Sequence, residues 1–224
     1  PDHYAVSKAI AERIFVESGI KHWACLRQTG ILCPELLYKG SDPITFHVPI
    51  DGVLEWATAE DSGRLLANVC EENVPDQFWN RFYNISSGPS FRLTNYEFEC
   101  KLLKALSCPA PEKIFEPNWF ALRNFHGQWY TDSDLLENYL HFRSNQSCDD
   151  YFRWMAKQVP WYFHLSKITP AFIIKTMMKI IASKEGLGTL NWIKTNNKNR
   201  ISAYFGSYEA WKAIPGWDKV NKQR

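Results

Sequence analysis

The sequence predicts an α/β fold that turns mainly helical in its second half. Helical windows alternate with short apolar strands as far as residue 108, the pattern of helices packed on a sheet. Beyond Pro109 strand signals vanish and helical windows follow one another. Hydrophobic residues make up 45% and charged residues 22%, globular values that exclude disorder and a fibrous repeat. The expected organisation is therefore an α/β part over residues 1–108 and a mainly helical part over 109–224.

The elements follow in chain order. Tyr4 to Ser18 reads as a helix, with Asp2 placed to cap it and Gly19 to stop it. Its apolar residues cover more than one stripe, so burial on two sides is expected. His22–Gln28 and Val53–Thr58 read as short strands, and Ala59–Glu72 as the helix after them. Arg81–Ser86 reads as a strand closed by the turn signal Gly88-Pro89. Leu93–Leu106 reads as a helix, where Thr94 and Glu97 have the spacing of a capping box. Helical windows then span Ser133–Arg143, Asp149–Gln158 and Pro170–Lys184, with short ones near Trp192 and Tyr208. Pro170–Lys184 is read as a core-packing helix whose lysines form a basic outer face, with a membrane-surface helix as the lesser reading.

Net charge is +2, but the halves differ: residues 1–112 carry −5 and residues 113–224 carry +7. The basic half fits a solvated face, or a surface for an anionic substrate or partner. The run Lys194–Arg200 has no base-reading features, so no nucleic-acid partner is expected. Six cysteines are scattered without C-x-x-C, and no histidine pair has zinc-ligand spacing. No metal is expected, and reduced thiols favour a cytoplasmic setting. No apolar run is long enough to span a bilayer.

Chemistry concentrates at the start of the chain. Tyr4 and Lys8 stand four residues apart, on one face of the first helix. A free phenol titrates near ~10, and a neighbouring ammonium lowers that value. Such a pair can pass a proton to or from a substrate oxygen while a hydride moves at the adjacent carbon. The spacing alone is weak evidence, because Tyr208 and Lys212 repeat it.

The context adds weight. Tyr4–Arg27 reads YAVSKAIAERIFVESGIKHWACLR and is followed by QTGILCP to Pro34. This resembles the extended short-chain dehydrogenase/reductase superfamily, the NAD-dependent epimerase/dehydratase group. There a Y-x-x-x-K helix precedes a strand ending in a leucine-arginine pair, here Leu26-Arg27, and a loop closing on proline, here Pro34. The segments Trp56–Asp61 and Asn84–Gly88 fit the same order, so the resemblance covers about residues 1–106. It implies a partial Rossmann-like sheet, Tyr4 as general acid/base, and Lys8 on the nicotinamide ribose. It also implies that Gln28, Thr29, Gly30 and Ile31 line an NAD or NADP nicotinamide, and that the enzyme is a homo-oligomer. The family often has asparagine where this chain has Gly30, and glycine where it has Cys33. Asp61 is read as structural.

The glycine-rich turn that brings a backbone against a pyrophosphate is missing. Gly186-Leu187-Gly188 lacks the third glycine and a preceding strand. The chain therefore reads as the C-terminal portion of such an enzyme, without its cofactor-binding half. His126 and Trp129, in a polar-aromatic cluster, are the candidate contacts for a small-molecule substrate. The rival reading is a non-catalytic binding or scaffold module that kept the fold and uses its aromatic, basic C-terminal region for a partner.

Overall fold

A computed structural model of the chain describes residues 3–38, 42–71, 73–123 and 128–220. Helix α1 (His3–Glu17) is followed by β1 (Ala24–Gln28), β2 (Ile31–Leu32) and α2 (Pro34–Tyr38). Next come β3 (Val53–Glu55), β4 (Ala57–Thr58), α3 (Ala59–Val69), β5 (Arg81–Ile85), β6 (Arg92–Thr94) and α4 (Asn95–Ala105). The rest is helical: α5 (Pro111–Ile114), α6 (Ser133–Leu140), α7 (Cys148–Gln158), α8 (Ala171–Ala182), α9 (Thr189–Lys194), α10 (Lys198–Tyr204), α11 (Tyr208–Lys212) and α12 (Trp217–Val220). The α/β class and the helical second half are as the sequence predicts.

Several elements are set by local chemistry. Thr94 accepts from the Glu97 amide at 3.2 Å, and the Glu97 carboxylate accepts from the Thr94 amide at 2.8 Å. This capping box fixes the start of α4 and is worth about 1 kcal/mol. Thr58 caps α3 and Ser147 caps α7 in the same way, each accepting the amide three residues on. Gly19, at φ 76°, turns the chain after α1.

The strands do not form one sheet. Among the described residues they make three two-stranded pieces: β1 with β5 parallel, β2 with β4 parallel, and β3 with β6 antiparallel. The run expected as one strand, Val53–Thr58, is thus divided at Trp56 between two sheets. The Trp56 amide donates to Phe91 O at 3.0 Å and its carbonyl accepts from the Ser87 amide at 3.0 Å, so the ladder on either side is interrupted. Helix α6 also ends sooner than its periodicity predicts. His141 adopts a left-handed conformation at φ 45°, and the Glu137 carboxylate takes the amides of Phe142 and Arg143, each at 2.9 Å.

The expected burial of the first helix on two sides does not occur. No residue of α1 is buried, and Ile10, Ile14 and Phe15 are exposed. The helix is held to β1 by Arg27, which donates to both Glu12 oxygens at 2.8 and 2.9 Å, and to the residue before the strand by the edge-on contact of Phe15 with Trp23.

The helical part folds back over the α/β part. One hydrophobic cluster joins Leu32, Phe91 and Phe98 to Tyr151, Phe152 and Met155 of α7. A second joins Tyr83 and Ile85 of β5 to Leu136, Leu140 and Phe142. A third joins Phe46 and Leu103 to Ile114, Phe115, Phe120 and Ala182. The core is thus continuous across residue 109.

At the edge of the third cluster, Glu99 of α4 is buried, and Thr45 donates a hydrogen bond to it. Burial outweighs that one donor and pushes the carboxyl up to about 7. The unfolded chain releases this proton near the ordinary value of 4.5 while the folded chain keeps it, so stability falls as pH rises from 4.5 to 7. Glu99→Gln should remove that slope and raise stability at pH 7 by about 3 kcal/mol. Urea unfolding of the two proteins across this window checks it.

Candidate active site

In an α/β sheet, ligands bind beyond the carboxyl ends of parallel strands. Here those ends are Gln28 of β1 and Ile85 of β5, which are register partners. The residues that follow them, Thr29 and Ser86, both turn to Glu55. Thr29 Oγ1 donates to the Glu55 carbonyl at 2.7 Å, and the Ser86 hydroxyl donates to its carboxylate. Glu55 is fully buried. Its carboxylate also accepts from Ser133 Oγ at 2.9 Å, Arg92 Nε at 3.0 Å and the Tyr130 amide at 3.1 Å. Burial pushes this carboxyl up, but these donors together outweigh it and hold it below the usual range.

Glu55 also places an aromatic wall. Its amide donates to Gln128 O at 2.8 Å, Gln128 Nε2 donates to Tyr130 Oη at 2.7 Å, and the Arg92 guanidinium stacks 4.4 Å from the centre of the Trp129 ring. Burial, the largest influence, raises the Tyr130 phenol above its ordinary value. Trp129 and Gln128 line an open cleft of about 550 Å³ together with Pro49, Asp51, Gly52, Val53 and Leu122.

The sequence-predicted residues fall into separate places. Thr29 is buried against Glu55, and Gln28 and Ile31 are exposed at either side of it. Gly30 is a position of close approach. A Cβ there would lie 2.8 Å from the Trp56 ring, which is itself stacked on Phe98 at 4.6 Å. That contact accounts for a glycine at this position. Trp129 borders the cleft, while His126 lies outside the described residues, as does Asp2. Tyr4 and Lys8 share one exposed face of α1, with Lys8 Nζ 5.4 Å from the Tyr4 ring centre. Tyr208 and Lys212 reproduce that local geometry at 4.9 Å, so context alone separates the two copies. Helix α1 is tied to β1, whereas α11 is pinned through Trp211 Nε1 to Asn118 O.

Two sequence readings have clear structural roles. Asp61 is buried, accepts from the Ser144 amide at 2.9 Å and pairs with Arg64 at 2.9 Å. Gly188 opens α9 where a Cβ would strike Ala182 O at 2.2 Å, and Gly186 O accepts from Trp192 Nε1 at 3.0 Å. This glycine pair is therefore a helix connection and no phosphate cradle. Glu55, Arg92, Gln128 and Tyr130 were not singled out from sequence. The available signal was one charged residue inside the apolar run Val53–Ala57.

Among the described residues no cluster of His, Cys, Asp and Glu could hold a metal, and no helix is long and apolar enough to cross a membrane. None of the six cysteines is in a disulfide. No protein-family model, curated protein or solved structure matches the chain.

Removing the Glu55 charge strands four donors in a buried site. Glu55→Gln should lower stability by about 3 kcal/mol at pH 7. The loss should shrink as pH falls through the low carboxyl value, because the wild-type group is then protonated too. Thermal melts of both proteins at neutral and acidic pH check the size and the sign.

Proposed function

We propose that the chain is the catalytic-helix and substrate-binding portion of an NAD(P)-dependent oxidoreductase or epimerase/dehydratase of the extended short-chain dehydrogenase/reductase superfamily. The observation that carries the reading is the coupling of the Tyr4/Lys8 helix, through Glu12 and Arg27, to a parallel strand whose carboxyl end leads into the Thr29–Glu55–Tyr130 cluster. Two further features support it. Among the described residues β1 pairs with β5 alone, so its other edge can accept the remaining strands of a Rossmann-like sheet. The unburied apolar residues of α1 suit packing against a further helix, in the same protein or in a homodimer.

The residues divide the work as follows. NAD or NADP, when bound, supplies or accepts the hydride. Tyr4 gives the substrate oxygen a proton when a carbonyl is reduced, and takes it back when the hydroxyl is oxidised. Lys8, on the same face of α1, would hold the nicotinamide ribose hydroxyls. Gln28 to Ile31 offer backbone groups to the nicotinamide, because the Thr29 hydroxyl is already committed to Glu55. The cleft beside Trp129 receives the small-molecule substrate, and the basic second half favours an anionic one. Six scattered cysteines outside disulfides suit a cytoplasmic setting. A non-catalytic binding module is the second reading, favoured by the apolar, basic surface of the C-terminal region described below.

Tyr4→Phe in the native gene product keeps the ring and removes the proton donor. NAD(P)H-linked turnover of hydroxyl or carbonyl substrates should fall by about 10²-fold or more. Tyr208→Phe should leave it unchanged. Equal losses from both substitutions, or none from either, would contradict the assignment of Tyr4.

The 224-residue chain alone has no glycine-rich turn for the pyrophosphate. Calorimetric titration with NAD(H) and NADP(H) should therefore detect no micromolar binding. Micromolar affinity would mean that the dinucleotide is held by residues other than those of the family.

A further inference from the structure

The outer surface of residues 161–180 departs from what a solvated helix presents. Helix α8 is apolar on two sides. Ile174, Met178, Ile181 and Ala182 pack into the core cluster around Phe46 and Phe115. The opposite side turns Phe172, Met177 and Ile180 to solvent, with Phe172 68% and Ile180 67% exposed. A water-facing helix side is ordinarily polar, so the expectation of a merely basic outer face is corrected here. The segment just before α8 continues the pattern: Trp161 is 75% and Ile168 78% exposed, with Tyr162 also exposed. Exposed apolar surface of this extent marks an interaction site.

The charges say what kind of partner. Residues 157–184 contain five lysines and no aspartate or glutamate. Lys175 pairs with Glu116, while Lys167, Lys179 and Lys184 are exposed. Aliphatic residues, exposed Trp and Tyr, and flanking lysines together are the composition that settles at an anionic lipid surface. Two copies of the chain meeting through this face would set lysines against lysines.

We propose that residues 161–180 dock the protein on an anionic membrane surface. The apolar side chains enter the headgroup boundary and the lysines lie against the lipid phosphates. Helix α8, at 12 residues, lies on the bilayer and does not cross it.

Co-sedimentation of the 224-residue chain with vesicles tests this. It should bind vesicles of phosphatidylcholine mixed with phosphatidylglycerol, and bind pure phosphatidylcholine far less. Lys167→Gln/Lys179→Gln should weaken binding about 30-fold, at the usual contribution of a lysine near such a surface. Phe172→Asp/Ile180→Asp should weaken it at least as much. Circular dichroism should be unchanged in both, since these side chains are exposed. Equal binding to neutral and anionic vesicles, no binding to either, or binding indifferent to both variants would overturn the proposal. So would a self-associating chain that ignores vesicles and becomes monomeric in Phe172→Asp/Ile180→Asp, which would make a second copy the occupant.

Discussion

A charge with no access to water must be neutralised or fully hydrogen-bonded, and Glu55 is the place where this protein meets that requirement. Its carboxylate draws on Ser86 after β5, Arg92 of β6, the Tyr130 amide and Ser133 of α6, and its main chain engages Thr29 and Gln128. Segments far apart in sequence are thereby fixed at the end of one parallel strand pair. Glu99 shows the alternative outcome. Buried more deeply, and with the Thr45 hydroxyl as its side-chain donor among the described residues, it rises toward neutrality. Glu55 keeps its charge with four donors, one of them the Arg92 guanidinium, whereas the deeper Glu99 has a neutral hydroxyl to offset its burial.

That arrangement explains how three small sheets act as one support. Each strand pair alone is too small to be stable. Glu55 links the antiparallel piece to the ends of the β1–β5 pair, and the hydrophobic clusters press α6 and α7 onto the same framework. The Tyr151 hydroxyl, 2.6 Å from Glu60 Oε2, adds a polar tie between α7 and α3. Helix α1 stands apart from this packing. A two-pronged ion pair and an aromatic contact hold its largely exposed length. Its exposed apolar residues, Ile10, Ile14 and Phe15 among them, are the surface that the proposed function gives to a further helix or a second copy.

What the sequence made legible was local. The capping box of Thr94 and Glu97, the stop at Gly19 and the unsuitability of Gly186–Gly188 as a phosphate turn all depend on residues a few positions apart. What it concealed was tertiary. Val53–Thr58 has the residues of one strand, and its division at Trp56 comes from partners more than thirty positions away at Ser87 and Phe91. The end of α6 depends on which amides the Glu137 carboxylate captures. At the candidate site, Tyr4, Lys8 and the loop 28–31 could be named from spacing and resemblance. Glu55 and Tyr130 could not, because their importance lies in which distant donors and acceptors reach them.

In the function proposed above, Tyr4 and Lys8 form the chemical end of a nicotinamide site built on β1. A crystal structure of the native gene product grown with saturating NAD(H) or NADP(H) tests it most directly. The expected result is the nicotinamide ribose within about 3 Å of Lys8 Nζ, the Tyr4 hydroxyl facing the reacting edge of the nicotinamide, and Gln28–Ile31 along the ring. A dinucleotide bound elsewhere while Tyr4 and Lys8 still face water would contradict this assignment, as would crystals that take up no dinucleotide.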